Sequence, residues 1–407
     1  MVSIGWLKLP AEKGSPLEVL SVFIKLGVSC FGGPIAHIGY FRDEFVVRRR
    51  WLDEQAYTDL VALCQFLPGP ASSQVGFSLG LMRAGYLGGL AAWTGFTLPS
   101  AILLVAFAYG AASLNGPVGL GLLHGLKLVA VAIVAQAVFG MARSLCPDRE
   151  RASIAVVAAA IILFSTASLA QIAAILLGGV AGLWLCRGAP IPEGGHVSMP
   201  VSRRAGVAAL VAFFVLLIGV LAVQGRAEAG ALDLFAAFYR SGALVFGGGH
   251  VVLPLLREAF VGPGWLSDDA FLAGYGAAQA VPGPLFTFAA YLGAVARPEP
   301  HGLAGAALGL IGIFLPGMLI LIGMLPFWDA LRKRAGAQAA MRGVNAAVVG
   351  ILGAALYNPV FTSAVKTPPD LAVALVGFVL LMAWRAPPLV VVVVSAVGGM
   401  ALSLTGY

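Results

Sequence analysis

Two short patterns in this chain combine residue types suited to gripping an anion, and each occurs twice. Gln65-x-x-Pro68-Gly69-Pro70 returns as Gln279-x-x-Pro282-Gly283-Pro284, and upstream Phe31-Gly32-Gly33 returns as Phe246-Gly247-Gly248. Glycine and proline together break an apolar helix. A broken helix offers a free N-terminus whose unpaired N–H groups and positive dipole end hold negative charge. Glycine also lets backbone approach a ligand closely, and proline removes a donor at the break. Gly32, Gly33, Gly69, Gly247, Gly248 and Gly283 are therefore candidate anion contacts. Gln65 and Gln279 add neutral donors, and Ser72, Ser73 and Thr287 follow the turns with hydroxyls. Arg42 and Arg257 occupy matching positions, each followed by an acid, Asp43 or Glu258. A guanidinium is a planar fork that fits the oxygens of a tetrahedral oxyanion. His37 and His250 each follow a glycine break and, with Asp43 and Glu258, are candidates to carry a coupling proton.

Each feature also has a plainer explanation. A single break can be a kinked helix, and an Arg-acid dipeptide can be an ion pair at the membrane edge. Ser72 or Thr287 can simply cap a half-helix, and either histidine can be an ordinary hydrogen-bonded one. Lys25 suits snorkelling to the interface. Lys127 and Asn345, matched polar positions in later helices, suit helix–helix hydrogen bonding as well as substrate contact. Four breaks in corresponding places favour a shared site over four unrelated kinks.

The elements that must position these residues are membrane helices. Of 407 residues, 60% are hydrophobic and 11% charged, against about a quarter charged in a soluble domain. Apolar stretches long enough to span a bilayer lie roughly at 86–114, 118–143, 152–167, 169–186, 206–223, 302–328, 341–361, 369–385 and 387–404. The 152–186 stretch reads as two short helices or one long one. Four further apolar stretches, 17–41, 54–83, 231–256 and 268–296, carry the breaks, so the number of crossings lies between nine and thirteen.

Around the breaks the chain repeats. Arg42-Asp43 and Phe45 return as Arg257-Glu258 and Phe260, shifted like Phe-Gly-Gly by 215 residues, and Trp51-Leu52 returns as Trp265-Leu266 after a one-residue slip. Pro99 matches Pro316. The repeat divides the chain into a first copy at 1–190, a linker plus one extra helix at 191–230, and a second copy at 231–407. Each copy has an even number of segments and one helix separates them, so the second is inverted. Loop charge agrees, with Arg143, Arg149 and Arg151 after the fourth segment of the first copy and Arg332, Lys333 and Arg334 after the third of the second. The cluster Arg42, Arg48, Arg49 and Arg50 stays cytoplasmic if the broken segments are re-entrant hairpins, and is an exception to the rule if they cross. The fold class is thus all-α and polytopic, with two inverted repeats containing broken or re-entrant helices.

Other chemistry lacks its motifs. The net charge of +7 sits between apolar stretches, where it reads as loop charge and gives no reason to expect nucleic acid. Cys30, Cys64, Cys146 and Cys186 form no CxxC pair, and no signal peptide is evident. Without GxxxxGK[ST], HExxH or GxSxG, neither an ATP-driven pump nor a membrane hydrolase is supported, and no cofactor or metal is implied. Secondary transport or a channel remains.

The segments from Phe31 through Arg42 and from Gln65 through Pro70, with their second copies, resemble the chromate ion transporter family. So do Gly343-Val344-Asn345-Ala346-Ala347-Val348-Val349-Gly350 and Tyr357-Asn358-Pro359. The resemblance spans about residues 17–404 and matches the long, fused form. It implies a multi-pass protein of the bacterial inner membrane, with oppositely oriented halves, that exports chromate and confers resistance. Sulfate is the chemically similar anion, and a sulfate or other oxyanion transporter or an anion channel is the alternative. The expected partners are the oxyanion and membrane lipid; a homodimer is admitted by the sequence but not read from it. One departure is Gly249 where the first copy has Pro34.

Overall fold

The computed structural model describes residues 14–111, 116–165, 170–187, 200–222 and 230–405. The four broken stretches form helices α1 (Pro16–Ser29), α2 (Gly33–Arg42), α3 (Glu54–Phe66) and the first arm of α4 (Ala71–Ala111) in the first copy. The rest of that copy is the second arm of α4, then α5 (Gly116–Leu145), α6 (Arg149–Phe164) and α7 (Ala170–Leu185). After α8 (Arg203–Ala222) the order returns as α9 (Ala231–Ala243), α10 (Val252–Phe260), α11 (Asp268–Ala280), α12 (Phe288–Val295) and α13 (Gly302–Met324). It continues with the short α14 (Trp328–Arg332), α15 (Ala335–Ala355), the short α16 (Thr362–Ala364), α17 (Pro368–Met382) and α18 (Pro388–Thr405). Among the described residues no strand occurs. Within the described residues all nine unbroken apolar stretches are helical, and 152–186 holds two helices, α6 and α7. Six helical stretches are long and apolar enough to cross a membrane by themselves.

The breaks fold the chain back on itself. In one straight helix Phe23 and Phe45 would lie about 33 Å apart. Here their rings stack at 5.1 Å, and the rings of Phe23 and Phe41 meet edge-on at 5.6 Å. The second copy repeats the contact between Phe238 and Phe260 at 4.7 Å. Across the second Pro-Gly-Pro turn, the Tyr291 hydroxyl donates to the Ala270 carbonyl at 2.9 Å. Both pairs of broken segments are therefore re-entrant hairpins. At Ala84 (φ −141°) and Gly85 (φ 67°) α4 reverses again, so its arms 71–83 and 86–111 lie antiparallel with Gly80 against Gly88.

Small residues let the long helices approach. Gly178 and Gly182 of α7 meet Gly343 of α15, and Gly121 and Gly125 of α5 meet the Gly399 region of α18. Close packing of this kind replaces the hydrophobic drive that lipid cannot supply.

Re-entrant hairpins settle sidedness. The mouths of the first two hairpins carry Arg42, Arg48, Arg49, Arg50 and Arg83 together, with Arg83 paired to Glu18 at 3.2 Å and its guanidinium over the Trp51 ring. Following the chain through single crossings brings Arg143, Arg149, Arg151, Arg187, Arg203, Arg204, Arg332, Lys333, Arg334 and Arg385 to the same face. That face is cytoplasmic by the positive-inside rule. The same path opens the hairpins of the second copy, α9–α10 and α11–α12, to the outer face.

Candidate substrate site

The four hairpin tips meet, and they do so crosswise. The Gly69 N–H donates to the Val245 carbonyl at 2.8 Å, and the Gly283 N–H donates to the Cys30 carbonyl at 2.9 Å. These are the same bond in two settings, because Gly69 corresponds to Gly283 and Cys30 to Val245. Each Pro-Gly-Pro turn therefore docks on the end of the first half-helix of the other copy. Gly69 has φ 119° and Gly283 φ 92°, which only glycine adopts without strain. There is no room for a side chain either. A Cβ on Gly69 would lie 2.9 Å from Gly317 Cα, and one on Gly283 would lie 3.0 Å from the Phe96 carbonyl oxygen. The two turns thus seat beside Pro316 and Pro99, the interior prolines of α13 and α4.

The Phe-Gly-Gly breaks abut on the same axis. Gly32, Gly33, Gly247 and Gly248 all have positive φ, and Gly249 packs against Pro34. Neither α2 nor the 3-10 turn that leads into α10 receives a side-chain cap. Among the described residues no backbone hydrogen bond is donated by the N–H of Gly32, Gly33, Gly247 or Gly248. Two helix N-termini with free donors therefore face the point where the copies meet, as an anion site requires.

Polar side chains gather there unequally. Buried His37 places Nδ1 3.4 Å from Ser72 Oγ and leaves Nε2 unpartnered, as are Ser73 Oγ and Thr97 Oγ1. Gln74 donates from Nε2 to the carbonyls of Pro68 (3.0 Å) and Gly317 (2.8 Å), stitching the first turn to α13. Thr287 spends its hydroxyl on the Pro284 carbonyl at 2.7 Å. Gln279 is part-buried with Nε2 unpartnered, and Asn345 Oδ1, also unpartnered, lies beside Gly247. His250 Nδ1 pairs with the Tyr275 hydroxyl at 2.7 Å. Gln65 is exposed. The Tyr57 hydroxyl donates to the Ile38 carbonyl at 2.6 Å, which fixes α3 antiparallel to α2 and brings Gln65 to about the level of Gly32.

The matched arginines stand elsewhere. Arg42 pairs with Glu54 at 2.7 Å and lies 3.7 Å from Asp43, at the cytoplasmic mouth. Arg257 pairs with Asp268 at 2.8 Å, at the outer mouth. Glu54 and Asp268 correspond, so the repeat conserves an arginine–carboxylate clamp between the two hairpins of each copy. The structure does not bring either arginine to the tips.

The two copies differ in how they are covered. Gly32, Gly39, Tyr40, Asp43, Glu54, Thr58 and Gln65 are exposed, a path along α2 and α3 from tip to cytoplasmic mouth. On α10 residues 252–256, 259 and 260 are buried, as are 271–278 on α11. α11 packs along α5, with Gly276 against the Leu126 backbone and Lys127 Nζ 3.0 Å from Asp269, whereas α3 makes no comparable contact with α15. The α2–α3 hairpin face is thus the less covered of the two and the α10–α11 face the more covered.

Sequence reasoning missed Gln74, which has Phe288 in its place in the second copy, and Arg240 of α9. Arg240 did carry a signal: it stands 215 residues after Lys25, the repeat's own spacing.

Oppositely oriented copies whose broken hairpins join tip to tip define a polytopic membrane protein of the inverted-repeat transporter architecture. The profile of the family described as Chromate transporter matches residues 17–183 and 232–400. The chain belongs to the chromate transporter family. It is 29% identical to a chromate transport protein of Pseudomonas aeruginosa over 94% of this chain and 90% of the relative. It is 27% identical to a probable chromate transport protein of Synechococcus elongatus, covering 94% of each. With a chromate transport protein of Cupriavidus metallidurans the identity is 25%, over 95% of this chain and 93% of that one. No solved structure is significantly similar.

Proposed function

We propose that this protein is a secondary transporter that exports chromate from the cytoplasm, with the dianion held where the four hairpin tips meet. The observation that carries this reading is the pair of crossed bonds, Gly69 to Val245 and Gly283 to Cys30, which brings the Pro-Gly-Pro turn of each copy beside the glycine break that precedes an uncapped helix start in the other. The anion enters along the exposed face of α2 and α3 and meets the N–H groups of Gly32 and Gly33, with Gln65 beside them. Main-chain and amide donors suit it because they hold charge without requiring a counter-ion to be moved through the membrane. Chromate is the substrate by likeness to the relatives named above; sulfate has the same shape and charge and is the natural competitor.

Export is also the direction physics favours. Each charge crossing is worth about 2.3 kcal/mol per 100 mV, so a dianion leaving a negative interior gains about 4.6 kcal/mol, on the order of a thousandfold gradient. Uptake would require coupled protons to offset the same term. The unequal covering of two otherwise matching hairpin pairs suits a carrier, whose copies exchange roles during the cycle. Cells that express the protein should accumulate less chromate than matched cells without it and should grow at higher chromate. Equal accumulation would refute export.

A further inference from the structure

On the outer side of the tips lies a small recess of about 20 Å³ lined by Gln171, Arg240, Ser241, Leu244, Leu255 and Glu258. It is bounded by α7, α9 and α10, beside the buried contact of α10 with α15. Arg240 is the tenth residue of α9, roughly 15 Å in from the outer end of the helix, and five residues before Val245, which accepts the Gly69 bond. It is only partly exposed, and among the described residues no hydrogen bond or ion pair within 4.0 Å reaches its guanidinium. A cation at this depth is costly unless something negative visits it. Glu258, across the recess, is near enough to act on Arg240 electrostatically without closing a salt bridge. Gln171 is already committed, donating to the Pro254 carbonyl at 3.2 Å, and Ser241 donates to the Ala237 carbonyl at 2.8 Å. The five guanidinium donors are the uncommitted ones.

We infer that Arg240 is the outward station of the transport path, a second oxyanion site that receives the tetrahedral dianion after it leaves the tips. Glu258 is its resident counter-charge when the site is empty and competes with the anion for the guanidinium. This rests on the reading of the protein as an oxyanion carrier. The repeat adds an independent argument: Lys25 and Asp43 hold the corresponding positions of the first copy, so a cation and an acid flank the tips on both sides. On the cytoplasmic side both are exposed.

The test is anion exchange by the full-length protein in right-side-out and inverted membrane vesicles, with chromate as the probe and sulfate as competitor. Arg240→Gln should raise the half-saturation for anion added from outside about tenfold or more, leaving the value from the cytoplasmic side unchanged. Arg240→Lys should fall between. Glu258→Gln should move the outer value the opposite way, to tighter binding, which loss of a merely structural pair would not do. An unchanged outer value in Arg240→Gln, or shifts of the same sign in Arg240→Lys and Glu258→Gln, would overturn the site while leaving the carrier reading intact. Wild-type vesicles that exchange neither anion would overturn the carrier reading and the outer site with it.

Discussion

Gly249 packs against Pro34, the very residue whose place it takes in the other copy. A Cβ built on Gly249 lies 3.1 Å from Pro34 Cγ. Positions related by the repeat that touch each other must lie on the axis between the copies, where two proline rings would occupy one space. The departure from strict repetition is thus a packing requirement. Gly249→Pro should overfill the contact and cost about 1–3 kcal/mol. Pro34→Gly combined with Gly249→Pro should recover most of that loss. Thermal unfolding in detergent of the two single variants and the double variant measures the difference; a double variant no more stable than Gly249→Pro would refute the contact's role.

The turn glycines should tolerate even less. Gly69→Ala and Gly283→Ala place a side chain at positive φ, at about 1–3 kcal/mol each, and against backbone within 3.0 Å. Each breaks one of the two crossed bonds, so the pair should lower chromate export similarly although the residues are far apart in sequence. Export assays that show one variant inert and the other unaffected would contradict the twofold arrangement.

The packing of α11 on α5 and the less covered α3 imply a second state with the roles exchanged. By the repeat, Gly276 and Leu126 correspond to Ala62 and Val344. In a background lacking the native cysteines, Ala62→Cys with Val344→Cys should cross-link only when the molecule is open outward, and cross-linking should arrest transport. Spin labels on the exposed ends of α5 and α11 report the opposite state, and their separation should grow as the cross-link forms. A cross-link that forms while α5 and α11 stay together would exclude alternating closure.

Asp59 and Arg332 join the copies on the cytoplasmic side at 2.7 Å, with side chains 3% and 12% exposed. The second copy has Ala273 where the first has Asp59, so the bridge exists on one face only. Arg332 also meets Asp329 at 2.8 Å, so Asp59→Asn removes one of two carboxylates facing the buried guanidinium and should destabilise the fold by about 1–3 kcal/mol, read as a lowered unfolding temperature. Asp59→Asn with Arg332→Met should be milder than Asp59→Asn alone, since no buried charge is then left facing an amide.

Much of this was legible in the chain because glycine and proline are positional residues. Phe-Gly-Gly and Pro-Gly-Pro mark where helices stop, and their recurrence at a fixed spacing exposed the repeat, its inversion and the helical class. Re-entrance was legible only as one way of keeping Arg48, Arg49 and Arg50 on the cytoplasmic face. The partners of the matched arginines were not. Adjacent acids suggested Asp43 and Glu258, and Asp43 does lie 3.7 Å from Arg42, but the closest carboxylates, Glu54 and Asp268, come from the next hairpin. The crossing of the tips could not be read either, because it joins residues whose only relation in sequence is the repeat itself. Arg240 was overlooked because its match, Lys25, reads on its own as an interfacial lysine.

Purified protein in liposomes gives the most direct measurement: chromate flux under an imposed membrane potential with the pH held equal on both sides. Chromate should leave the negative compartment, slow in proportion as the potential is reduced, and be inhibited by sulfate. Flux that persists when the potential is collapsed but a pH gradient is kept, or no saturable flux at all, would contradict a dianion carried between the hairpin tips by the electrical field.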